Sequence, residues 1–182
     1  MLATANNCQL DVIDMQAKLL NAMDDAERQQ VVSRSGILLK AASLLDIPVL
    51  ITEQYPEGLG KTDNTLAESI EDLTVHEKTC FSCLGQSAFD STVEQSERSQ
   101  YILCGIEAHV CVLQTALELI AQGKEVFVVE DAVCSRSAEN KQNALQRIRQ
   151  AGGIISNMES VIFEWLRDAK HVRFKEISSL IR

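Results

Sequence analysis

The stretch Tyr101-Ile-Leu-Cys-Gly-Ile-Glu-Ala-His-Val-Cys111 decides how the rest of the chain is read. Residues 101–104 form a short apolar run of the kind that makes a buried strand. Gly105 ends the run with the residue type that turns most freely. A helical stretch, 112–122, follows at once. Strand, sharp turn and helix together deliver Cys111 to a helix start. Backbone N–H groups there lack intrahelical partners and the helix dipole is positive. Both favour thiolate, the nucleophilic form of cysteine.

Outward from this segment, strand-like runs alternate with helical periods along the whole chain. A first strand begins near Cys8 and closes at Val12-Ile13. The amphipathic stretch 26–45 follows, with Val31, Val32, Ile37, Leu38, Ala41, Leu44 and Leu45 at helical spacing. Residues 48–52 make a second buried strand. Pro56, Gly58 and Gly60 mark 53–64 as an irregular loop. A short helix at about 65–70, a third strand at about 73–77 and a helical piece at Ser87–Gln95 lead to the fourth strand, 100–104. Gly123 stops the helix before a fifth strand, 125–130. Ser137 caps a helix that runs to Ala151, Gly152 and Gly153 end it, and Ile154-Ile155 begins a sixth strand. Short helices at about 160–168 and 174–181 close the chain. This alternation predicts an α/β fold, a parallel sheet covered by helices on both faces, because parallel strands need crossover connections. No repeat or linker breaks it, so residues 1–182 are expected to form one domain.

Composition narrows the function. A net charge of −9 disfavours nucleic acid and anionic membrane surfaces as partners. No apolar run approaches the roughly 20 residues a bilayer span needs. Met1-Leu-Ala-Thr-Ala-Asn-Asn7 shows no basic segment followed by a long apolar one, so the cytoplasm is the expected location. Among the 6 cysteines, Cys8, Cys104 and Cys134 lie in or beside strand-like runs, as small buried hydrophobes do. Cys80 and Cys83 form a lone C-x-x-C with no second ligand pair, and His76, His109 and His171 lack zinc spacing. No metal and no cofactor are expected; a thiol-redox role for Cys80 and Cys83 remains a minor alternative.

Open parallel sheets place ligands beyond the carboxyl ends of their strands. Asp14 lies just past the first strand, Lys78 past the third and Cys111 past the fourth. A carboxylate, an ammonium and a thiol on one sheet edge make a coherent set: the acid takes the thiol proton, and the ammonium favours both anions. Singly, Asp14 also reads as a turn residue, Lys78 as a solvated loop lysine and Cys111 as a packed helix residue. A Cys–His dyad with His109 fails on geometry if the helix has begun, since residues two apart on a helix do not face each other. Dinucleotide and P-loop glycine patterns are absent.

At these residues the chain resembles the isochorismatase-like cysteine hydrolases, the superfamily that includes nicotinamidases and N-carbamoylsarcosine amidase. The likeness is strongest in Val12-Ile-Asp-Met-Gln16, Thr52-Glu-Gln-Tyr-Pro-Glu-Gly-Leu-Gly60, Glu77-Lys-Thr-Cys-Phe-Ser82, Gly105-Ile-Glu-Ala-His-Val-Cys-Val-Leu-Gln-Thr115 and Glu130-Asp-Ala-Val-Cys-Ser-Arg-Ser137. The isochorismatase domain-containing branch is the nearest match. The resemblance implies a three-layer α/β/α sandwich with six parallel strands in the order 3-2-1-4-5-6. It also implies an Asp14–Lys78–Cys111 triad and a cis peptide between Ile106 and Glu107, with the N–H groups of Glu107 and Cys111 as oxyanion donors. Gln16, Phe81, Ser82, Phe89 and Glu107 are candidate pocket residues for a small-molecule substrate, and a homo-oligomer is expected. Nicotinamidases hold a metal through an Asp-x-His pair after the second strand; here that stretch is Thr52-Glu53-Gln54-Tyr55, without histidine. True isochorismatases lack the nucleophilic cysteine, so Cys111 points to acyl transfer, namely hydrolysis of a small amide or carbamoyl compound through a thioester. A binding protein on the same fold with little turnover is the alternative.

Overall fold

In the computed structural model, which describes residues 1–69 and 74–181, six parallel strands form one sheet in the order β3-β2-β1-β4-β5-β6. The strands are β1 (Cys8–Ile13), β2 (Val49–Gln54), β3 (Val75–Lys78), β4 (Gln100–Ile106), β5 (Glu125–Cys134) and β6 (Ile154–Ser156). Between β1 and β2 lie α1 (Ala17–Leu20) and α2 (Asp25–Leu44); α3 (Pro56–Leu59) and α4 (Asn64–Ala67) follow β2. Helix α5 (Ser87–Gln95) precedes β4, and α6 (Leu113–Ala121) follows it. The remaining helices are α7 (Ala138–Gln150), α8 (Met158–Leu166) and α9 (Phe174–Ser179).

The period-2 alternation of β1 sorts its side chains between two cores. Cys8, Leu10 and Val12 pack with α2, α8 and α9 on one face. Ile13 joins Leu50, Tyr101 and Leu103 and the apolar stripes of α5, α6 and α7 on the other. The sheet is therefore the middle of three layers, as the order 3-2-1-4-5-6 requires. Caps fix where the helices begin. The Asp24 carboxylate accepts from the N–H of Ala26 and Glu27 ahead of α2, and the Ser137 hydroxyl accepts from Asn140 ahead of α7.

Several boundaries differ from the sequence reading. Strand β3 begins at Val75 and ends on Lys78 itself, while Leu73 and Ile70, ends of two predicted elements, lie outside the described residues. The predicted loop 53–64 contains the end of β2 and the single turn α3, with Pro56 in its first turn. Strand β5 runs on to Cys134 past a register irregularity opposite Leu103 and Gly105. Helix α6 starts at Leu113, one residue later than expected, and a π turn at Ala108–Val112 precedes it.

Gly105 pairs with Ile13 in the register of β4 on β1. A Cβ at this position would lie 2.1 Å from the Ile13 carbonyl oxygen, and the residue has φ +118°. The two strands thus approach backbone to backbone just before Asp14 and just before the turn that carries Cys111.

Two polar side chains, Gln9 and Asp11, break the apolar face. Asp11, aligned with Leu50 and Leu103, is fully buried. Its Oδ1 accepts from Gln9 Nε2 at 2.8 Å, while Oδ2 has no partner among the described residues. Burial pushes its pKa up to about 7 against the smaller, opposing effect of the Gln9 bond. The folded state then holds a proton that the unfolded chain releases near pH 4, so stability falls as pH rises from about 4 to about 7. Asp11→Asn keeps the acceptor for Gln9 and removes the charge. Its melting temperature should gain on the parent's between pH 5 and pH 8, and a pH-independent difference would contradict this.

Candidate active site

Asp14 leaves the end of β1 with φ 53°, a left-handed conformation that aspartate tolerates better than most residues. Its N–H donates to the Thr52 carbonyl at 3.1 Å, and its carbonyl accepts from Gln16 N at 2.7 Å. The fully buried carboxylate is held at both oxygens. Thr52 Oγ1 donates to Oδ1 at 2.7 Å, and Lys78 Nζ donates to Oδ2 at 2.7 Å.

The Lys78 ammonium has no exposed surface. Besides Asp14 it reaches Gln54 Oε1 at 2.7 Å and the carbonyls of Cys80 and Phe81 at 3.2 and 3.1 Å. Burial works against the charged form, but the Asp14 carboxylate outweighs it and raises the lysine's pKa. The loop supplying the two carbonyls is tied to α6: Thr115 Oγ1 accepts from Cys83 N at 3.0 Å, and Ser82 Oγ donates to Glu118. One turn separates Thr115 from Cys111.

Cys111 lies within the π turn, closed by the Glu107 carbonyl, which accepts from the N–H of Val110 and Val112. The peptide bond before Glu107 is cis. Cys111 is 6 % exposed, and the Asp14 carboxylate is near enough for its charge to act on the sulfur. Burial first, and then the Asp14 charge, raise the cysteine's pKa; Lys78 opposes them. The surroundings of Cys111 therefore favour the thiol over the thiolate that a helix start alone suggests.

The remaining candidates divide. The Gln16 side-chain amide is occupied by backbone: it donates to the carbonyls of Gln54 and Gly60 and accepts from Gln54 N, which ties the β2–α3 segment to β1. Phe89 is core, fully buried and edge-on to His76 at 5.7 Å. Phe81 is 54 % exposed beside the Lys78 loop. The Glu107 carboxylate takes the backbone N–H and the Nε of Arg136, which the extended β5 brings to the same edge. His109 bonds Ser135 Oγ at 3.0 Å, and no hydrogen bond joins it to Cys111 among the described residues. His171 accepts from Arg173 N in the C-terminal stretch.

Two participants escaped the sequence reading, Thr52 and Gln54; both bond the Asp14–Lys78 pair directly. Their signals in the sequence are their place at the end of a strand that borders β1 and their membership of the Thr52–Gly60 motif. The C-x-x-C also comes apart: Cys83 is buried beside Thr52, whereas Cys80 packs against Gly85 at the surface of the loop. At the end of β2, Glu53 Oε1 accepts from the Thr62 N–H and hydroxyl, and Oε2 faces Lys61 Nζ at 3.2 Å. A cleft of about 520 Å³ has Tyr55, Lys78, Cys80 and Gln86 in its wall and does not include Cys111.

The Isochorismatase domain family matches residues 9–160. Isochorismatase domain-containing protein 2 of Danio rerio is 44 % identical over 151 residues, 83 % of this chain and 76 % of the relative. The secreted isochorismatase effector Isc1 of Phytophthora sojae is 42 % identical over 156 residues, 84 % of this chain and 74 % of the relative. Among solved structures, the MAR1 ribonuclease of Caenorhabditis elegans superposes with a TM-score of 0.93 at 37 % identity, covering 100 % of this chain and 92 % of that one.

The buried ion pair makes a stability prediction. Lys78→Met leaves the Asp14 carboxylate buried without its cation and should cost about 3–5 kcal/mol in urea unfolding. Adding Asp14→Asn should recover a large part of that loss, because it removes the stranded charge. Additive losses in the double variant would contradict the pairing.

Proposed function

The chain belongs to the Isochorismatase domain family, and from that premise we propose that it is a metal-independent cysteine hydrolase cleaving a C–N bond of a small amide or carbamoyl-type compound. The observation that carries this reading is the convergence of Asp14, Lys78 and Cys111, drawn from three separate segments, on one buried point at the carboxyl edge of the sheet.

In the proposed reaction Asp14 takes the Cys111 proton as the sulfur attacks the substrate carbonyl. Lys78 keeps the carboxylate fixed and balances the single negative charge that passes from Asp14 by way of the sulfur to the substrate oxygen. The N–H groups of Glu107 and Cys111 face the developing oxyanion. Collapse expels the amine, to which Asp14 returns the proton. Asp14 then activates a water that cleaves the thioester and restores the thiol. Phe81, Ser82 and Glu107 remain the proposed pocket contacts, and we assign Gln16 and Phe89 to the scaffold.

We also propose that residues 1–182 act as one domain and self-associate, as the family resemblance implies. Six free cysteines fit a reducing compartment, and with it a cytoplasmic location. A second reading, a binding protein with little turnover, is favoured by the low exposure of Cys111 and by surroundings that favour its thiol form. The nematode relative is named a ribonuclease; a net charge of −9 opposes RNA binding by this chain.

Mass spectrometry during turnover of a small-amide panel tests the proposal. An acyl adduct on Cys111 is expected, and Cys111→Ala and Cys111→Ser should lower turnover by about a thousand-fold or more. Full turnover in Cys111→Ala would refute the mechanism. No adduct from any amide would favour the binding protein, and cleavage of single-stranded RNA would redirect the substrate class.

A further inference from the structure

The Thr52 hydroxyl has one proton and two lone pairs, and the structure gives each of them a partner. Cys83 Sγ donates to its oxygen across 3.8 Å, and the Asp14 N–H approaches it at 3.3 Å. Both neighbours are donors, so the hydroxyl proton is left one acceptor, Asp14 Oδ1 at 2.7 Å. Cys83 is fully buried and its pKa is pushed up to about 12, first by burial and then by the Asp14 charge, so it stays a thiol and a donor at neutral pH. The bond sequence Cys83 S–H to Thr52 O–H to Asp14 Oδ1 thus has a fixed direction. Thr52 is itself buried, in register with Ile13 on β1, and its carbonyl holds the Asp14 N–H.

The two carboxylate oxygens are consequently unlike. Oδ2 carries a charge-assisted bond from Lys78, while Oδ1 carries a bond from a neutral hydroxyl. The oxygen facing the weaker, neutral donor is the more basic of the two. On the proposed function above, we propose that Thr52 is a positioning residue of the reaction: its hydroxyl orients Asp14 so that Oδ1 receives the Cys111 proton, and it sets the lower pH limit of nucleophile activation.

The test follows iodoacetamide alkylation of Cys111 by mass spectrometry from pH 4 to pH 9. The lower limb belongs to the Asp14–Cys111 pair as a unit. A donated hydrogen bond favours the ionised carboxylate, so Thr52→Val, which keeps the shape and loses the hydroxyl, should move that limb upward. A shift of roughly one pH unit, or about ten-fold slower labelling at the acid end, is expected. Thr52→Ser should return the limb to its original place. If Thr52→Val does not fold, the Thr52→Ser and Thr52→Ala pair carries the same comparison, since both lose the methyl and only one keeps the hydroxyl. A limb that stays in place on loss of the hydroxyl, or that Thr52→Ser fails to restore, overturns the inference even if labelling slows throughout. Labelling that Asp14→Asn leaves unchanged would instead overturn the proposed function, and the inference with it.

Discussion

The buried ion pair between Lys78 and Asp14 is the constraint on which the rest of the site depends. Neither group has any exposed side-chain surface. Ion pairs so placed lose more hydration than their mutual attraction returns unless other bonds complete the shell. Here the shell is complete: Thr52 at one carboxylate oxygen, and Gln54 and two loop carbonyls at the ammonium. These partners come from β1, β2, β3 and the loop after β3, so satisfying one ion pair fixes the relative position of four segments.

Electrostatics around the thiol follow from that pair. Burial first, and then the neighbouring Asp14 carboxylate, favour the Cys111 thiol, while the Lys78 ammonium limits the effect. Such a cysteine is inert until its proton moves to the neighbouring base, and the proposed mechanism makes that transfer part of the attack. The π turn carries Cys111 between Glu107, whose carbonyl closes it, and α6, whose Thr115 and Glu118 hold the loop around Lys78. The turn that carries Cys111 and the loop that surrounds the Lys78 ammonium are thereby held by the same helix.

Much of the fold was legible in the sequence because each strand was marked by a compact apolar run and each helix by a period or a cap. The edge on which Asp14, Lys78 and Cys111 meet follows from the topology of parallel sheets, so three residues distant in sequence could be grouped without coordinates. What escaped depended on tertiary contacts that residue type does not reveal. Thr52 reads as a strand residue until its hydroxyl is seen on Asp14. Gln16 reads as a pocket residue until its amide is found bonded to three backbone groups. Phe81 and Phe89 are alike as letters, yet one is exposed and the other fully buried. The extension of β5 rests on a register irregularity that leaves no mark in a hydropathy pattern.

The central claim is that Asp14 and Lys78 act together to make Cys111 a nucleophile. Its most direct test is the rate of Cys111 alkylation by iodoacetamide at neutral pH in the parent chain, Asp14→Asn and Lys78→Met, with folding of each checked by circular dichroism. The account predicts fast labelling in the parent and a loss of about a hundred-fold in both folded variants. Equal rates in all three proteins, at the pace of an ordinary thiol, would contradict it.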